Sequence, residues 1–277
     1  MESSGIISIA IIIANFLVSY RGFKDNAFYE RYSFKVDNIL LYKEYKRLIT
    51  SGFLHVGWLH LIFNMMAFYF FSSGLENNIG GINFLIIYFS GLIGGNLLTL
   101  LLHKSDGGYS SVGASGAIAG VIFTTIALVP GMKIGLLFLP ISIPAWLFGL
   151  IFILYSIYGI RSSRDNIGHD AHLGGALVGM AVGLLMYPAA LVYNYPTILI
   201  IALPAIVFLV LIIKRPSLLM VDNLFYKKHH HLNLEDRYNL DKRSKQKEID
   251  DILEKIHKKG INSLTRKEKM MLEEYSQ

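Results

Sequence analysis

Cysteine is absent from all 277 residues. Without a thiol the chain has no disulfide framework, no thiolate metal site and no cysteine nucleophile. Charge is scarce as well: Asp, Glu, Lys and Arg make up 17% of the residues, against 53% hydrophobic residues and a mean hydropathy of +0.46. That balance excludes an ordinary soluble domain and leaves a polytopic membrane protein. Alternating ten-residue segments, the mark of a membrane barrel, are missing, and the continuously apolar runs select helices instead. The net charge of +6 gathers in the loops and the tail. With a bilayer accounting for most of the chain, it does not point to nucleic acid. The first five residues carry no Lys or Arg and no small-residue cleavage site follows Val18, so the first apolar run reads as an uncleaved span, not a secretory signal.

Six to seven apolar runs approach the roughly twenty residues that cross a hydrocarbon core. They are Ile6 to Tyr20, a stretch from Phe53 through Met65 to about Phe71, Ile82 to Leu102, and a short run from Ser115 to Val129 that ends at Pro130. Ile134 to Tyr158 follows, interrupted by Pro140 and Pro144, then His169 to about Met186, then Tyr195 to Ile213 with Pro196 and Pro204. Arg21 to Arg47 is a long polar loop whose aromatics suit a membrane interface. Glu76 and Gly80 read as the turn after the second span, with Glu76 either a structural cap or a solvated charge. Residues 1–190 are thus expected to form a six-span core, 195–213 a further transmembrane helix, and 214–277 a charged soluble tail with a helical hairpin at 247–276. In the tail Ile249, Ile252, Leu253 and Ile256 follow helical spacing, Gly260 suits a stop, and Thr265 with Glu268 reads as a capping box opening a second helix. His229-His230-His231 reads as a solvated tract and is assigned no metal.

Ser115 lies in Gly113-Ala114-Ser115-Gly116. In a span such small residues ordinarily let two backbones approach, and the serine then merely bonds across or back to a carbonyl. The histidines change that balance. His60 and Asn64 are four apart, hence on one helical face, and His55 sits just before them. His172 lies three residues before Gly175, which with Gly179 forms a close-approach stripe. Imidazole or carboxamide without a partner in a bilayer is costly, so these groups are functional candidates. A serine hydroxyl needs a base to take its proton, and His172 is the best candidate. Asp170 is two residues away, about 200° around the helix, which favours a Ser-His dyad over a triad. The Asn64 carboxamide, the His60 ring N–H and the Ser115 backbone N–H are available to an oxyanion. A short helix starting below the surface leaves a recess for water above Ser115.

The order His55-x4-His60-x3-Asn64, then Gly113-x-Ser115-Gly116, then Ala171-His172-x2-Gly175-x3-Gly179 resembles the rhomboid intramembrane serine proteases. Arg47 upstream and Glu76 followed by Gly80 fit the same pattern, and the resemblance runs from about Ile6 to Tyr187. It implies an all-α polytopic membrane protein with a six-helix core, to which the seventh helix and the soluble helical tail are added. It implies Ser115 as nucleophile, His172 as general base, Asn64 and His60 at the oxyanion, and His55 as a structural or water-holding neighbour. Gly113, Gly116, Gly175, Gly179, Arg47 and Glu76 take supporting places. The implied partners are transmembrane segments of other proteins, cleaved near their extracytoplasmic end, and the lipid bilayer, with no nucleic acid, cofactor or metal. The implied location is multi-pass, in a bacterial cell (inner) membrane. Two positions depart from the family: Ala119 stands where many members carry an aromatic residue stacked on the histidine, and Tyr45-Lys46 precedes Arg47 where a tryptophan is common.

The resemblance puts the N-terminus in the cytoplasm, so that seven spans carry the tail outside; the Lys/Arg-rich first loop and tail argue for the opposite placement of both. Two other classes compete with a protease. A rhomboid-like pseudoprotease would bind membrane clients without cutting them, and its hallmark is loss of the serine or the histidine, both of which are present. A transporter relaying protons through its histidines needs acids within the spans, and Glu76 and Asp170 fall at span edges.

Overall fold

The computed structural model describes residues 5–129, 131–135, 142–162 and 167–214, and of the tail residues 249, 252, 253, 255, 256, 264, 265, 268 and 272. The chain divides into two compact units, Met1–Lys227 and Lys228–Gln277.

In the first unit the apolar runs are helices, because in lipid each backbone N–H and C=O has to be satisfied within its own segment. In order they are α1 (Ile6–Lys24), α2 (Asn26–Tyr32), β1 (Phe34–Lys35), α3 (Val36–Leu40), α4 (Arg47–Thr50), a 3-10 turn (Ser51–Phe53), α5 (Trp58–Ile79) and α6 (Gly81–His103). After these come β2 (Ser110–Ser111), α7 (Ser115–Leu128), β3 (Lys133–Gly135), β4 (Ser142–Pro144), α8 (Ala145–Ser162), α9 (His169–Met186), α10 (Ala190–Tyr193) and α11 (Tyr195–Lys214). Among the described residues five helices, α1, α5, α6, α8 and α11, are long and apolar enough to cross a membrane. The chain is a multi-pass, all-α integral membrane protein. α9 has 18 residues but lower hydropathy, since its first turn carries His169, Asp170 and His172 and four glycines follow.

The centre is α7. Every residue from Gly116 to Ala127 is buried, as expected of a helix that is apolar all round and walled by other helices. Its deepest neighbour is α9, and glycine sets the distance between them. A Cβ on Gly175 would lie 2.1 Å from the Gly116 carbonyl oxygen, and one on Gly179 would lie 2.4 Å from Gly120 Cα. Gly183 meets Thr124 in the same way, so steps of four on both helices hold one parallel register. Asn194, buried beside α11, donates from Nδ2 to the Ile126 and Ala127 carbonyls at 2.9 and 3.0 Å and so satisfies the open end of α7.

Two expectations are corrected. The run from Ile134 to Tyr158 is not one interrupted span: β3 and β4 pair antiparallel, Lys133 opposite Pro144, and helix begins only at Ala145. Pro144 has no N–H to give a helix interior and so stands at its threshold. The first loop also carries a short strand, for β1 pairs with β2, Phe34 opposite Ser111, tying it to the segment before Ser115. Finally, the second span continues past Phe71 to Ile79 and stops at Gly80, whose φ of 80° lies in the left-handed region that glycine tolerates.

Glu76 therefore lies in the last turn of α5, not in a turn between helices, and its carboxylate caps the start of α1. It accepts from the Ile7 N–H at 3.0 Å, the Ser8 N–H at 2.8 Å and the Ser8 hydroxyl at 2.6 Å. These are donors a helix N-terminus leaves open, and a negative charge there also meets the positive end of the helix dipole. Glu76→Ala is expected to destabilise the protein by about 3 kcal/mol, as buried donors lose a charged acceptor. Thermal unfolding in detergent measures this, and Glu76→Gln should lose less because it keeps an acceptor.

Of the expected tail hairpin at 247–276 only scattered residues are described, and His229-His230-His231 lies outside them. Among those described, Thr265 and Glu268 form the capping box: the Thr265 N–H donates to Glu268 Oε2 at 2.6 Å, and the Glu268 N–H returns to the Thr265 hydroxyl at 3.3 Å. Lys255 Nζ reaches the same carboxylate at 2.7 and 2.9 Å. Its hydrogen bond, and then those of Thr265, hold the Glu268 carboxyl down to about 2.

Candidate active site

Ser115 opens α7, and the backbone before it is specialised to deliver it. Gly113 has φ of 139°, in the region open to glycine, and its N–H donates to the Ser51 carbonyl at 3.0 Å. A Cβ on Gly113 would lie 3.0 Å from His60 Cε1, 3.2 Å from His60 Nε2 and 3.8 Å from Ser115 Oγ. The His60 ring, the bend at Gly113 and the Ser115 hydroxyl thus surround one small space. Because Ser115 is the first residue of the helix, the N–H groups of its first turn have no partner within the helix.

His172 is carried on the first turn of α9. A Cβ on Gly116 would lie 3.2 Å from the Ala171 carbonyl oxygen, and Gly175 touches Gly116 directly. The seam therefore sets Ser115-Gly116 across from the turn between Ala171 and Gly175, the turn that carries His172. Asp170 is turned elsewhere: its carboxylate meets His103 Nε2 at 3.1 Å, at the end of α6, and Tyr109 stacks on the His103 ring at 3.7 Å. This agrees with the 200° separation expected from the helix.

Ser115, His172, His60 and Asn64 are half-buried, whereas His55 is fully buried. Asn64 lies one turn below His60, and one of its amide protons is given to the His60 carbonyl at 3.1 Å. His55 packs edge-on against His60, ring centroids 4.9 Å apart. Ser19 of α1 donates its hydroxyl proton to the Phe53 carbonyl at 2.9 Å and lies 2.9 Å from His55 Nδ1. A hydroxyl has one proton, so Nδ1–H must be the donor in the second bond. His55 is thereby fixed as a wall behind His60.

Arg47 and Glu76 are not at this space. Arg47 is buried in the first loop, where Nη1 donates to the Glu30 and Ser33 carbonyls at 2.8 and 2.7 Å and Nε meets Glu44 at 2.5 Å. Burial raises the Glu44 carboxyl, but hydrogen bonds from Arg47 and Asn38 outweigh it and leave the group below its ordinary value. The Arg47 carbonyl accepts from the Ser51 hydroxyl at 2.7 Å, and Ser51 holds Gly113, so the arginine braces the site at one remove. Glu76 is more than three turns along α5 from Asn64, and its carboxylate is bound by the start of α1.

The sequence reading missed Ser19, Ser51, Asn96 and Phe152. Asn96 Nδ2 donates to the Leu48 carbonyl at 2.8 Å and the Ser51 hydroxyl at 3.2 Å, completing the brace. Asn96 had one legible signal, a carboxamide within an apolar run. Phe152 had none, being one aromatic among many on α8.

Comparison with known proteins follows the same outline. The rhomboid domain family matches residues 42–189, more than half of the chain, and a family of unknown function (DUF6576) matches residues 232–277. RHOMBOID-like protein 12, mitochondrial, of Arabidopsis thaliana is 30% identical over 188 residues, covering 62% of this chain and 55% of that protein. Rhomboid protein 1, mitochondrial, of Saccharomyces cerevisiae is 33% identical over 153 residues, covering 52% and 44%. The Bacillus subtilis rhomboid YdcA is 44% identical over 78 residues, covering 28% and 38%. The chain thus spans about half the length or less of the curated relatives it matches. With the domain match extending across the stretch from α4 through α9 that builds the space around Ser115, this chain belongs to the rhomboid family.

Proposed function

We propose that the protein is an intramembrane serine endopeptidase that cleaves transmembrane segments of other membrane proteins. The observation that carries this reading is the parallel glycine seam, which brings the Ser115 end of α7 against the His172 turn of α9. Ser115 Oγ attacks the scissile carbonyl while His172 takes its proton, and the same imidazole returns a proton to the leaving amine. Water then releases the acyl group from Ser115 by the reverse exchange. The developing oxyanion is met by the Ser115 N–H, the second amide proton of Asn64 and the His60 ring. His60 Nδ1 is buried without a hydrogen-bond partner among the described residues, so its single proton is better placed on Nε2, beside Gly113 and Ser115.

The relatives are mitochondrial and bacterial, and we place this chain in a bacterial cell (inner) membrane, with residues 1–190 as the catalytic core, 195–213 as a seventh span and 214–277 as an appended soluble tail. A fluorophosphonate probe tests the class of enzyme directly. It should label the wild-type protein, and labelling should disappear in Ser115→Ala; a protein labelled equally in both forms is no Ser115 hydrolase.

Asn64→Ala is expected to lower turnover by about 10² to 10³ with much less change in KM, since the lost hydrogen bond is made to charge that develops only in the transition state. Steady-state cleavage of a transmembrane reporter in liposomes distinguishes this from a role in substrate binding, where KM alone would rise.

A further inference from the structure

The family's usual aromatic platform for the histidine is missing from α7, because the residue one turn beyond Ser115 is Ala119. Ala119 is nevertheless 1% exposed, so another group covers its face of the helix. One turn further lies Phe123, wholly buried, whose ring is 5.4 Å from that of Phe152 on α8. The Phe152 ring in turn lies 5.6 Å from the His172 imidazole, the two planes inclined by 37°. Phe152 thus stands between His172 and Phe123, a residue one helical turn beyond Ala119.

Phe152 is itself held. Phe148, one turn away on α8, lies 6.2 Å from it and stacks on Phe71 of α5 at 6.3 Å. Towards the other end of α8, Tyr155 meets the His169 ring edge-on at 4.9 Å. Gly159 leaves room for that imidazole, since a Cβ there would lie 2.1 Å from His169 Cδ2. α8 is therefore docked on the first turn of α9 at three successive positions, with Phe152 the one that touches His172.

We propose that Phe152 is the positioning residue of His172, a ring supplied by α8 in place of the one absent at 119. The inference rests on His172 being the base, and it deepens that reading. An imidazole flanked by a flat ring keeps the plane in which it accepts the serine proton, and a misplacement of about 1 Å costs on the order of 10² in rate. Because the ring and the base are on different helices, the docking of α8 becomes part of the catalytic geometry.

The test is a small set of variants assayed by single-turnover cleavage of a transmembrane reporter in liposomes, with thermal unfolding measured alongside. Phe152→Ala should lower kcat by roughly 10- to 100-fold with KM little changed. Ala119→Tyr alone should lower both rate and unfolding temperature, as two rings compete for one space. Phe152→Ala combined with Ala119→Tyr should recover most of the rate, the ring returning from α7. Phe152→Leu, which fills volume without a flat face, should remain slow while unfolding near the wild-type temperature. A wild-type rate in Phe152→Ala or in Phe152→Leu overturns the proposal, and so does a folded double variant no faster than Phe152→Ala. A wild type no faster than Ser115→Ala overturns the protease reading itself and this proposal with it.

Discussion

Ser115→Ala is expected to reduce cleavage of a transmembrane reporter in liposomes by on the order of 10⁴ to 10⁶, and His172→Ala by a similar factor. The two act as one unit, so the double variant should be no slower than the slower single one. The cause is chemical: alanine leaves no nucleophile, and a serine without its base is a neutral hydroxyl of little reactivity. Neither change should unfold the protein, for both side chains are half-buried at the mouth of the seam and the glycines that set the helix spacing are untouched. Thermal unfolding and helical circular dichroism check that condition in the same samples. Cleavage at the wild-type rate by Ser115→Ala removes the proposed mechanism outright.

Much of this was legible in the sequence because membrane helices announce themselves. Continuous apolar runs gave the bounds of five helices, α1, α6, α7, α9 and α11, to within a few residues, and α9 begins and ends where the His169 to Met186 run does. The spacing of His60 and Asn64, and the distance from His172 to Gly175, translated directly into faces, since helical geometry leaves little choice. What stayed hidden depends on pairing between distant segments. The apolar residues around Ile134 suit a buried helix as well as a strand, and only the β3–β4 register decides against the helix. Glu76 was ambiguous for the same reason: its meaning lies in the Ile7 and Ser8 donors, sixty-nine and sixty-eight residues away in sequence. Phe152 could not be found by spacing at all. Its place beside His172 follows from how α8 docks, a tertiary fact that no local pattern encodes.

The departure at Ala119 shows how such tertiary facts bear on mechanism. Seen in the sequence, a missing aromatic ring weakens the base. Within the fold its space is covered, and Phe152 stands next to the imidazole. Similarly, Asp170 is the only acid near His172 in sequence, yet it is committed to His103 and ties the start of α9 to the end of α6. The same turn of α9 thus carries one residue for anchoring and the proposed base, on opposite faces.

Gly175→Val is expected to abolish cleavage and to destabilise the protein by roughly 4 kcal/mol, or about 10 °C in the unfolding midpoint. Even the single carbon of Gly175→Ala would be placed 2.1 Å from the Gly116 carbonyl oxygen and 2.9 Å from Gly116 Cα. Those atoms are backbone, so no side chain can swing aside, and α7 and α9 must part. On the proposed mechanism, parting them moves His172 away from Ser115, since Gly116 and Gly175 are the contact between the segments that carry them. Gly175→Ala should therefore lose on the order of 10² in rate at about 1 to 3 kcal/mol of stability, the rate falling because the reacting groups are about 1 Å out of place. Gly74→Ala is the control: it lies within α5, a Cβ there meets nothing within 4 Å, and helix propensity alone favours the change by about 1 kcal/mol. If Gly175→Ala cleaved and unfolded like Gly74→Ala, the close seam between α7 and α9 would be wrong, and with it the placement of His172 against Ser115.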